Sequence, residues 1–346
     1  MSEDRGVPDR DRRAGAEPDR PPGSPARSSH DLVLTGSIAF DYIMTFPGRF
    51  RDHILPDRLD RLSLSFLVDS LIRRRGGIAA NIAYTLALLG ERPRVMATVG
   101  EDFGDYREWL EARGVDMSAV RTIPGVFTAS FFVNTDQANS QIASFYTGAM
   151  AHAGALRFAE LPIAPSLVVI SANDPSAMTA YARECRELEI PYFYDPGQQI
   201  VRMDGPALVE AIRGARALFL NAYELGLIEE KTGLGLPDLT PNLEWVTVTR
   251  GAQGSEIHSQ GGITPIPAVP EARLLDPTGV GDAYRGGFLK GFLRGLPLER
   301  CGQIGALAAT YCLEHEGPQG QEYSLASFLE RFRTHFPDGP ELDRLW

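Results

Sequence analysis

The chain lacks three features that would each define a class of protein. Its 346 residues include three cysteines, Cys185, Cys301 and Cys312, whose odd number and wide spacing argue against a disulfide framework or a zinc site. A net charge of −11 gives no broad attraction for nucleic acid or for an anionic membrane. No run reaches the roughly 18 apolar residues of a membrane-spanning helix. We therefore expect a soluble, cytoplasmic protein with no nucleic-acid and no membrane partner.

The first 30 residues also have few large apolar side chains. They contain six acidic residues, six arginines and five prolines, so they bury too little surface to fold. They have no apolar segment of the kind found in signal peptides. We predict that residues 1–30 form a disordered tail and that residues 31–346 form the folded part.

From residue 31 onward, short β-rich runs alternate with segments of helical periodicity. Strands are predicted at residues 31–35, 95–99, 167–171, 192–194, 217–220 and 245–249, and helices at residues 78–89, 105–113, 176–188 and 223–231. The alternation predicts an α/β fold with a mainly parallel sheet flanked by helices on both faces. Ligands bind such sheets beyond the carboxyl ends of the strands, where Asp195 and Asn221 are expected.

Two segments interrupt the alternation. Residues 42–69 and 128–146 are rich in aromatic and β-branched residues and contain no intervening helix. We predict that they assemble a small, discontinuous β lid; the alternative is that they are additions to the main sheet. Because exposed strand edges pair readily with other strands, a homodimer formed through the lid is expected.

A glycine-containing turn near the carboxyl end has the composition of an anion site. The run is Asp276-Pro277-Thr278-Gly279-Val280-Gly281-Asp282, and a helix-like segment follows it. Its glycines let backbone N–H groups converge, and the start of the helix adds unsatisfied donors and a partial positive charge. A phosphoryl group fits there, with Asp282 placed as a general base. The alternative is a solvated carboxylate at a helix N-terminus.

Together with three further motifs in the same order, this run resembles the ribokinase-like (PfkB-type) family of carbohydrate and nucleoside kinases. The other motifs are Gly76-Gly77-Ile78-Ala79-Ala80-Asn81, Asn221-Ala222-Tyr223-Glu224 and Thr249-Arg250-Gly251-Ala252-Gln253-Gly254. Within the family, the chain is most similar to bacterial adenosine kinases of the actinobacterial type, in residues 35–41, 46–50, 62–69, 141–146 and 172–175. The resemblance implies a ribokinase-like kinase domain over residues 31–346.

The resemblance also implies which residues carry out phosphoryl transfer. Asp282 would accept the proton of a ribose 5′-hydroxyl group. The backbone amides of Gly279, Val280, Gly281 and Asp282 would form the anion hole that stabilises the transferring phosphoryl group.

ATP and Mg²⁺ are the cofactors that the resemblance implies, and K⁺ is a further candidate. Asn221, Thr249, Gly251 and Gly254 would bind the nucleotide. Asn221 and Glu224 would orient Mg²⁺ through its waters. The alternative for this pair is a helix-capping box, and the two roles are compatible.

A nucleoside substrate would be held by a third set of residues. By resemblance these are Ser37, Asp41, Gly77, Asn81, Phe131, Phe145, Gln198, Gln199 and Arg202. Asp41 would accept hydrogen bonds from the ribose hydroxyls. Phe131 and Phe145 would lie against the base, which offers a flat π-face that a free sugar lacks. These two positions therefore distinguish a nucleoside from a sugar.

The expected activity is ATP-dependent phosphorylation of the 5′-hydroxyl of adenosine to AMP, in purine salvage. One alternative is a kinase for another nucleoside, or for a sugar such as ribose, on the same catalytic frame. Another is a non-catalytic nucleoside-binding protein.

Two details of the helix after the turn are also open to test: Tyr284 needs a hydrogen-bond partner if it is buried, and Gly286 and Gly287 predict close helix packing.

Overall fold

A computed structural model describes residues 31–54 and 63–346 of the chain. The predicted tail, residues 1–30, lies outside the described residues. So do residues 55–62 of the first lid segment.

Strands and helices are numbered separately along the described residues. The strands are β1 (Leu32–Thr35), β2 (Ala39–Thr45), β3 (Ser70–Gly76), β4 (Arg94–Val99), β5 (Asp116–Thr122), β6 (Ala129–Thr135), β7 (Gln141–Tyr146), β8 (Leu167–Ser171), β9 (Tyr192–Asp195), β10 (Ala217–Asn221), β11 (Trp245–Thr249), β12 (Ser255–Ser259) and β13 (Gly262–Ile266). The α-helices are α1 (Ile78–Leu88), α2 (Gly104–Glu111), α3 (Pro175–Glu187), α4 (Gly205–Gly214), α5 (Ala222–Thr232), α6 (Leu236–Leu239), α7 (Val280–Leu293), α8 (Leu298–Leu313) and α9 (Leu325–His335).

The main sheet is mainly parallel, as the sequence predicts. Its strand order is β13-β12-β11-β10-β9-β8-β1-β4-β5. The two pairings made by β12 are antiparallel, and the remaining pairings of this sheet are parallel. All six predicted strands belong to it.

Helices cover both faces of this sheet, because alternate strand residues point to opposite sides. Leu32 and Leu34 of β1 pack into a core with residues of α1, α7, α8 and α9. Val33, between them, packs into a second core with residues of α3, α4 and α5. This arrangement confirms the predicted α/β class. None of the helices described between residues 31 and 346 is both long and apolar enough to cross a membrane.

A separate four-stranded sheet has the order β3-β2-β6-β7. We call it the lid sheet. Three of its strands overlap the predicted lid segments, whereas β3 follows directly after the first segment. The consecutive Arg73, Arg74 and Arg75 give β3 no alternation of polar and apolar residues by which the sequence could reveal it. The division into tail, kinase domain and lid stays a prediction.

Helix α7 lies unusually close to its neighbours. A Cβ atom added to Gly286 would lie 2.6 Å from Thr85 Cβ of α1, and one added to Gly287 would lie 2.7 Å from the Ile304 carbonyl oxygen of α8. Tyr284 is buried, and its hydroxyl group lies 2.8 Å from Ser255 Oγ. Close packing therefore explains the two glycines, and Ser255 is the hydrogen-bond partner that the buried Tyr284 requires.

Substitution of Gly287 by alanine tests this packing. We expect Gly287→Ala to lower the free energy of unfolding by about 1–3 kcal/mol, because the added methyl group must separate α7 from α8. The matched control is Gly226→Ala in α5, where a Cβ atom meets nothing within 4 Å. That change should be neutral or stabilising by up to about 1 kcal/mol. If chemical denaturation showed that both substitutions raise the free energy of unfolding equally, the close approach of α7 to α8 would be contradicted.

Candidate active site

Two of the predicted nucleotide-binding residues lie at the carboxyl edge of the main sheet. Asn221 at the end of β10 is in register with Thr249 at the end of β11. Asp195 at the end of β9 is in register with Ser171 of β8. Because parallel strands all end at the same edge, Asn221 and Thr249 border the space beyond it, which we call the cleft, and Asp195 and Ser171 lie buried behind it.

The glycine-containing turn of residues 276–282, which we call the anion turn, meets the first glycine motif in this cleft. Gly279 has a left-handed backbone, with φ of 78°, and is the residue before α7. Asn81 of α1 donates from Nδ2 to Oδ2 of Asp282 at 2.8 Å. Asn81 is buried and Asp282 half-buried. The structure thus joins two motifs that are 201 residues apart in sequence.

A chain of hydrogen bonds fixes the amide of Asn81. Its Oδ1 accepts from Gln319 Nε2 at 2.9 Å, so its Nδ2 must point to Asp282. Gln319 also donates to the Tyr106 hydroxyl group, which in turn donates to the Gly76 carbonyl oxygen at 2.9 Å. The carboxylate of Asp282 is therefore oriented from outside its own helix.

The charge state of Asp282 depends on its surroundings. Burial raises the pKa of Asp282 to about 7, although the charge of Arg285 and the hydrogen bond from Asn81 act in the opposite direction. The carboxylates of Asp195 and Glu224 add to the upward shift. A carboxyl group with a pKa near neutrality is suited to accept a proton and later release it.

Asn221 and Glu224 form the capping box that the sequence left open. Asn221 Oδ1 accepts from the Glu224 backbone N–H, and Glu224 Oε2 accepts from the Asn221 backbone N–H, both at 2.8 Å. Glu224 is buried; that burial raises its pKa, and Asp195 contributes to the shift.

The residues at this edge fit Mg²⁺ only as a hydrated ion. Among the described residues, no group of three His, Cys, Asp or Glu side chains is arranged to hold a metal ion. In the capping box Glu224 uses Oε2 and Asn221 uses Oδ1. Because Mg²⁺ keeps several waters and binds through phosphates, Asn221 and Glu224 fit a role in orienting it.

The predicted nucleotide-binding turn follows β11. Gly251 and Gly254 both have positive φ, at 57° and 84°. A Cβ atom at Gly254 would lie 2.1 Å from the Ile266 carbonyl oxygen, so only glycine fits there. Thr249 lies beside Asn221 at the same edge. The turn therefore borders the cleft that holds the anion turn.

Four side chains form a row across one face of the lid sheet. Arg74, Asp41, Phe131 and Phe145 are cross-strand neighbours from β3, β2, β6 and β7. Arg74 donates to Asp276, the first residue of the anion-turn run, at 2.6 Å. This face of the lid therefore looks toward the turn, and the predicted ribose-binding carboxylate lies on it together with both predicted aromatic residues.

Asp276 organises the start of the anion turn. Its Oδ1 accepts from the Thr278 backbone N–H at 2.9 Å, and its Oδ2 accepts from Gly317 N–H at 3.0 Å and from Arg74. Burial raises the pKa of Asp41 to about 6, with a contribution from Asp276, whereas Arg74 acts to lower it. Lid and turn are thus in electrostatic contact.

The remaining predicted residues occupy two places. Ser37 Oγ accepts from the backbone N–H of α1 at 3.2 Å, and Gly77, with φ of 95°, lies against the Ser37 carbonyl oxygen. Gln198, Gln199 and Arg202 follow β9, where Arg202 is exposed and donates to Gln199 at 3.4 Å. Their roles in binding stay predictions.

Four residues of this site were not singled out from the sequence. They are Arg74, Tyr106, Arg285 and Gln319. Arg285 could have been found from its spacing, since it follows Asp282 by three residues in a helix and so shares one side with it. The other three contact residues that are distant in sequence and carry no local signal.

The raised pKa of Asp282 predicts a pH-dependent effect of Asp282→Asn on stability. A carboxyl group whose pKa is higher in the folded protein stabilises the fold at low pH and loses that contribution as pH rises through the folded value. From about pH 4 to about pH 7, the variant should therefore gain about 1–3 kcal/mol relative to the wild type.

Thermal unfolding at a series of pH values measures this difference. Asp41→Asn is the matched comparison, and its difference should level off near pH 6 rather than near pH 7. A difference for Asp282→Asn that stays constant from pH 4 to pH 8 would contradict the assignment.

Known proteins are similar to this chain in both sequence and fold. A nucleoside kinase from Methanothermobacter thermautotrophicus is 31% identical over 321 residues, which cover 90% of this chain and 98% of that protein. The structure of Burkholderia thailandensis nucleoside kinase in complex with inosine is 34% identical, with a TM-score of 0.81, and the match covers 89% of this chain and 100% of that one. A Methanocaldococcus jannaschii nucleoside kinase structure is 27% identical, with a TM-score of 0.80, covering 89% of this chain and 100% of that one.

A more distant similarity shows the fold alone. The adenosine kinase from Sinorhizobium meliloti is 21% identical, with a TM-score of 0.70, and the match covers 88% of this chain and 99% of that one.

Over residues 35–323 the sequence matches the family described as pfkB family carbohydrate kinase, a range that includes all four motifs. This chain therefore belongs to the pfkB family of carbohydrate kinases.

Proposed function

We propose that this protein is an ATP-dependent nucleoside kinase that phosphorylates the 5′-hydroxyl group of its substrate. The observation that carries the proposal is the position of Asp282. It lies in the first turn of α7 beside the anion turn, held by Asn81, while the lid row of Asp41, Phe131 and Phe145 faces the same cleft. A nucleoside would bind between the two, with its 5′-hydroxyl group at Asp282 and its base at the aromatic residues.

The chain's own residues would act on the hydroxyl group and on the phosphoryl group. Asp282 accepts the proton of the 5′-hydroxyl as its oxygen attacks the γ-phosphorus atom of ATP. The bond from that phosphorus to the β,γ-bridging oxygen breaks, and ADP leaves with the electron pair. Amides of residues 279–282 stabilise the charge on the transferring group.

The identity of the base is less restricted than the sequence analysis expected. Adenosine is one candidate substrate, with AMP as its product in purine salvage. The names of the related proteins support the broader alternative, because the three described above at 27–34% identity are all nucleoside kinases and one of them binds inosine in its structure. We therefore propose that the substrate is a nucleoside and that adenosine and inosine are the two candidates to test first.

Three further features of the proposal come from the sequence. Mg²⁺ would be oriented by Asn221 and Glu224 through water and would neutralise phosphate charge when bound. A K⁺ requirement and a homodimer formed through the lid stay predictions. For the dimer, the six residues of β7 are exposed at the edge of the lid sheet, where a second copy of the chain could pair.

Measurement of Mg²⁺-ATP consumption tests the proposal. The purified protein is assayed with inosine, adenosine, guanosine, cytidine, ribose and fructose, beside Asp282→Asn and the matched surface variant Asp343→Asn. We expect turnover on nucleosides, and for Asp282→Asn a fall in kcat of about 10²–10⁴ because the base is lost. Nucleoside binding should persist in that variant, and Asp343→Asn should behave as wild type.

Two results would overturn the proposal in different ways. Turnover on sugars alone would keep the kinase chemistry and exclude a nucleoside as substrate. Nucleoside binding without turnover on any compound would identify a non-catalytic nucleoside-binding protein.

The lid row gives a second test, directed at the base. Phe131→Ala should weaken nucleoside binding by about five- to 150-fold, the value of one stacking contact, and should leave ribose binding unchanged. Phe132→Ala is the matched control, because Phe132 lies on the opposite face of β6 and stacks on Tyr42 at 4.8 Å. Equal losses in the two variants, measured by calorimetry, would show that Phe131 does not contact the base.

A further inference from the structure

Beneath the anion turn lies a buried ion pair. Arg285 of α7, with 10% of its side chain exposed, donates from Nη2 to Oδ1 of Asp195 at 2.5 Å. Asp195 is the last residue of β9 and is fully buried. The pair therefore ties the helix that carries Asp282 to the edge of the main sheet.

The guanidinium group of Arg285 also touches the turn itself. A Cβ atom added to Gly281 would lie 2.8 Å from Arg285 Nη1. Gly281 does not have a positive φ, so its backbone does not require glycine, whereas a side chain there would meet the guanidinium group. The positive charge thus lies directly against the backbone whose amides form the predicted anion hole.

Stability alone is a poor explanation for this arginine. Its Nε is buried and has no hydrogen-bond partner in the part of the chain that the structure describes. An incompletely paired buried charge contributes little to stability, and apolar residues of similar volume often replace such pairs without loss. The cation at this position therefore calls for a functional reason.

Arg285 is shared by three carboxylates from three elements. Burial opposes its charge, but Asp195 of β9, Glu224 of α5 and Asp282 of α7 outweigh that effect and raise its pKa. Two neutral titratable groups, Tyr106 of α2 and Cys312 of α8, also lie close enough to sense the charge of Asp282. Without the guanidinium group, the carboxylates would face one another uncompensated.

We propose that Arg285 is a positioning residue of the phosphoryl-transfer site, which holds the anion turn and keeps the Asp282 carboxylate ionised and correctly placed. This inference rests on the proposed kinase function. Arg285 acts through Asp282 and through the backbone of the turn, and it also adds positive charge beneath the position of the phosphoryl group. Its loss should therefore lower kcat more than it raises KM.

Three variants and one control separate this role from a structural one. The variants are Arg285→Met, Arg285→Lys and the double variant Arg285→Met with Asp195→Asn. The control is Lys290→Met, which breaks the buried pair of Lys290 and Glu91, 2.7 Å apart, about one and a half turns further along α7 than Arg285. Each protein is assayed for kcat, KM, Tm and the pH dependence of kcat/KM with the nucleoside that the wild type phosphorylates best.

We expect Arg285→Met to lower kcat by about 10²–10³ and to move the acid limb of the pH profile upward by about one pH unit. Arg285→Lys keeps the charge and should recover part of kcat. The double variant removes the unpaired carboxylate, so it should recover Tm but not kcat. Lys290→Met should lower Tm with no effect on the acid limb.

Recovery of kcat together with Tm in the double variant would overturn the proposal, as would an unshifted acid limb in Arg285→Met. A readout independent of activity separates this failure from failure of the kinase assignment. The stability difference between the proteins with Asp282 and with Asp282→Asn should level off at a higher pH when Arg285→Met is also present. An unchanged curve would remove Arg285 from the site even if the wild type phosphorylated none of the compounds.

Discussion

The close packing of α7 against α1 and α8 is the constraint on which the site depends. Gly286 and Gly287 allow α7 to approach both neighbours, and a side chain at either position would force them apart. Asn81 of α1 reaches Asp282 only because the two helices lie so close together. The apolar core between sheet and helices therefore sets the geometry of a polar pair at its rim, as expected where side chains are packed without free volume.

Charge inside the cleft is arranged in two layers. Asp282 is partly accessible and accepts a hydrogen bond from Asn81, whereas Arg285 and Asp195 lie behind it and are almost closed to solvent. Because interactions between charges strengthen as water is excluded, Arg285 and Asp195 strongly affect the ionisation of Asp282. The same low polarity that places the pKa of Asp282 near 7 makes its ionisation sensitive to any neighbouring charge.

Sequence patterns predicted the elements of this fold better than their contacts. Short β-rich runs predicted six of the nine strands that the structure describes in the main sheet, whereas β5, β12 and β13 were not predicted. The glycine turn placed Asp282 at the start of a helix. The Arg74–Asp276 contact joins residues 202 apart, and the Gln319–Asn81 contact joins residues 238 apart. Arg74 and Gln319 have no local sequence signature, because the sequence around a polar residue in a loop or edge strand does not show whether its side chain contacts solvent or a distant partner.

The contact between Arg74 and Asp276 joins the lid sheet to the anion turn, so under the proposed kinase function it would couple binding at the one to binding at the other. Asp276 holds the anion turn through Thr278, and it is itself held by the edge strand of the lid. Under the proposed kinase function, a nucleoside that draws the lid inward would secure this carboxylate and with it the turn, and so would raise the affinity for the nucleotide. By linkage, the nucleotide would then raise the affinity for the nucleoside by the same factor.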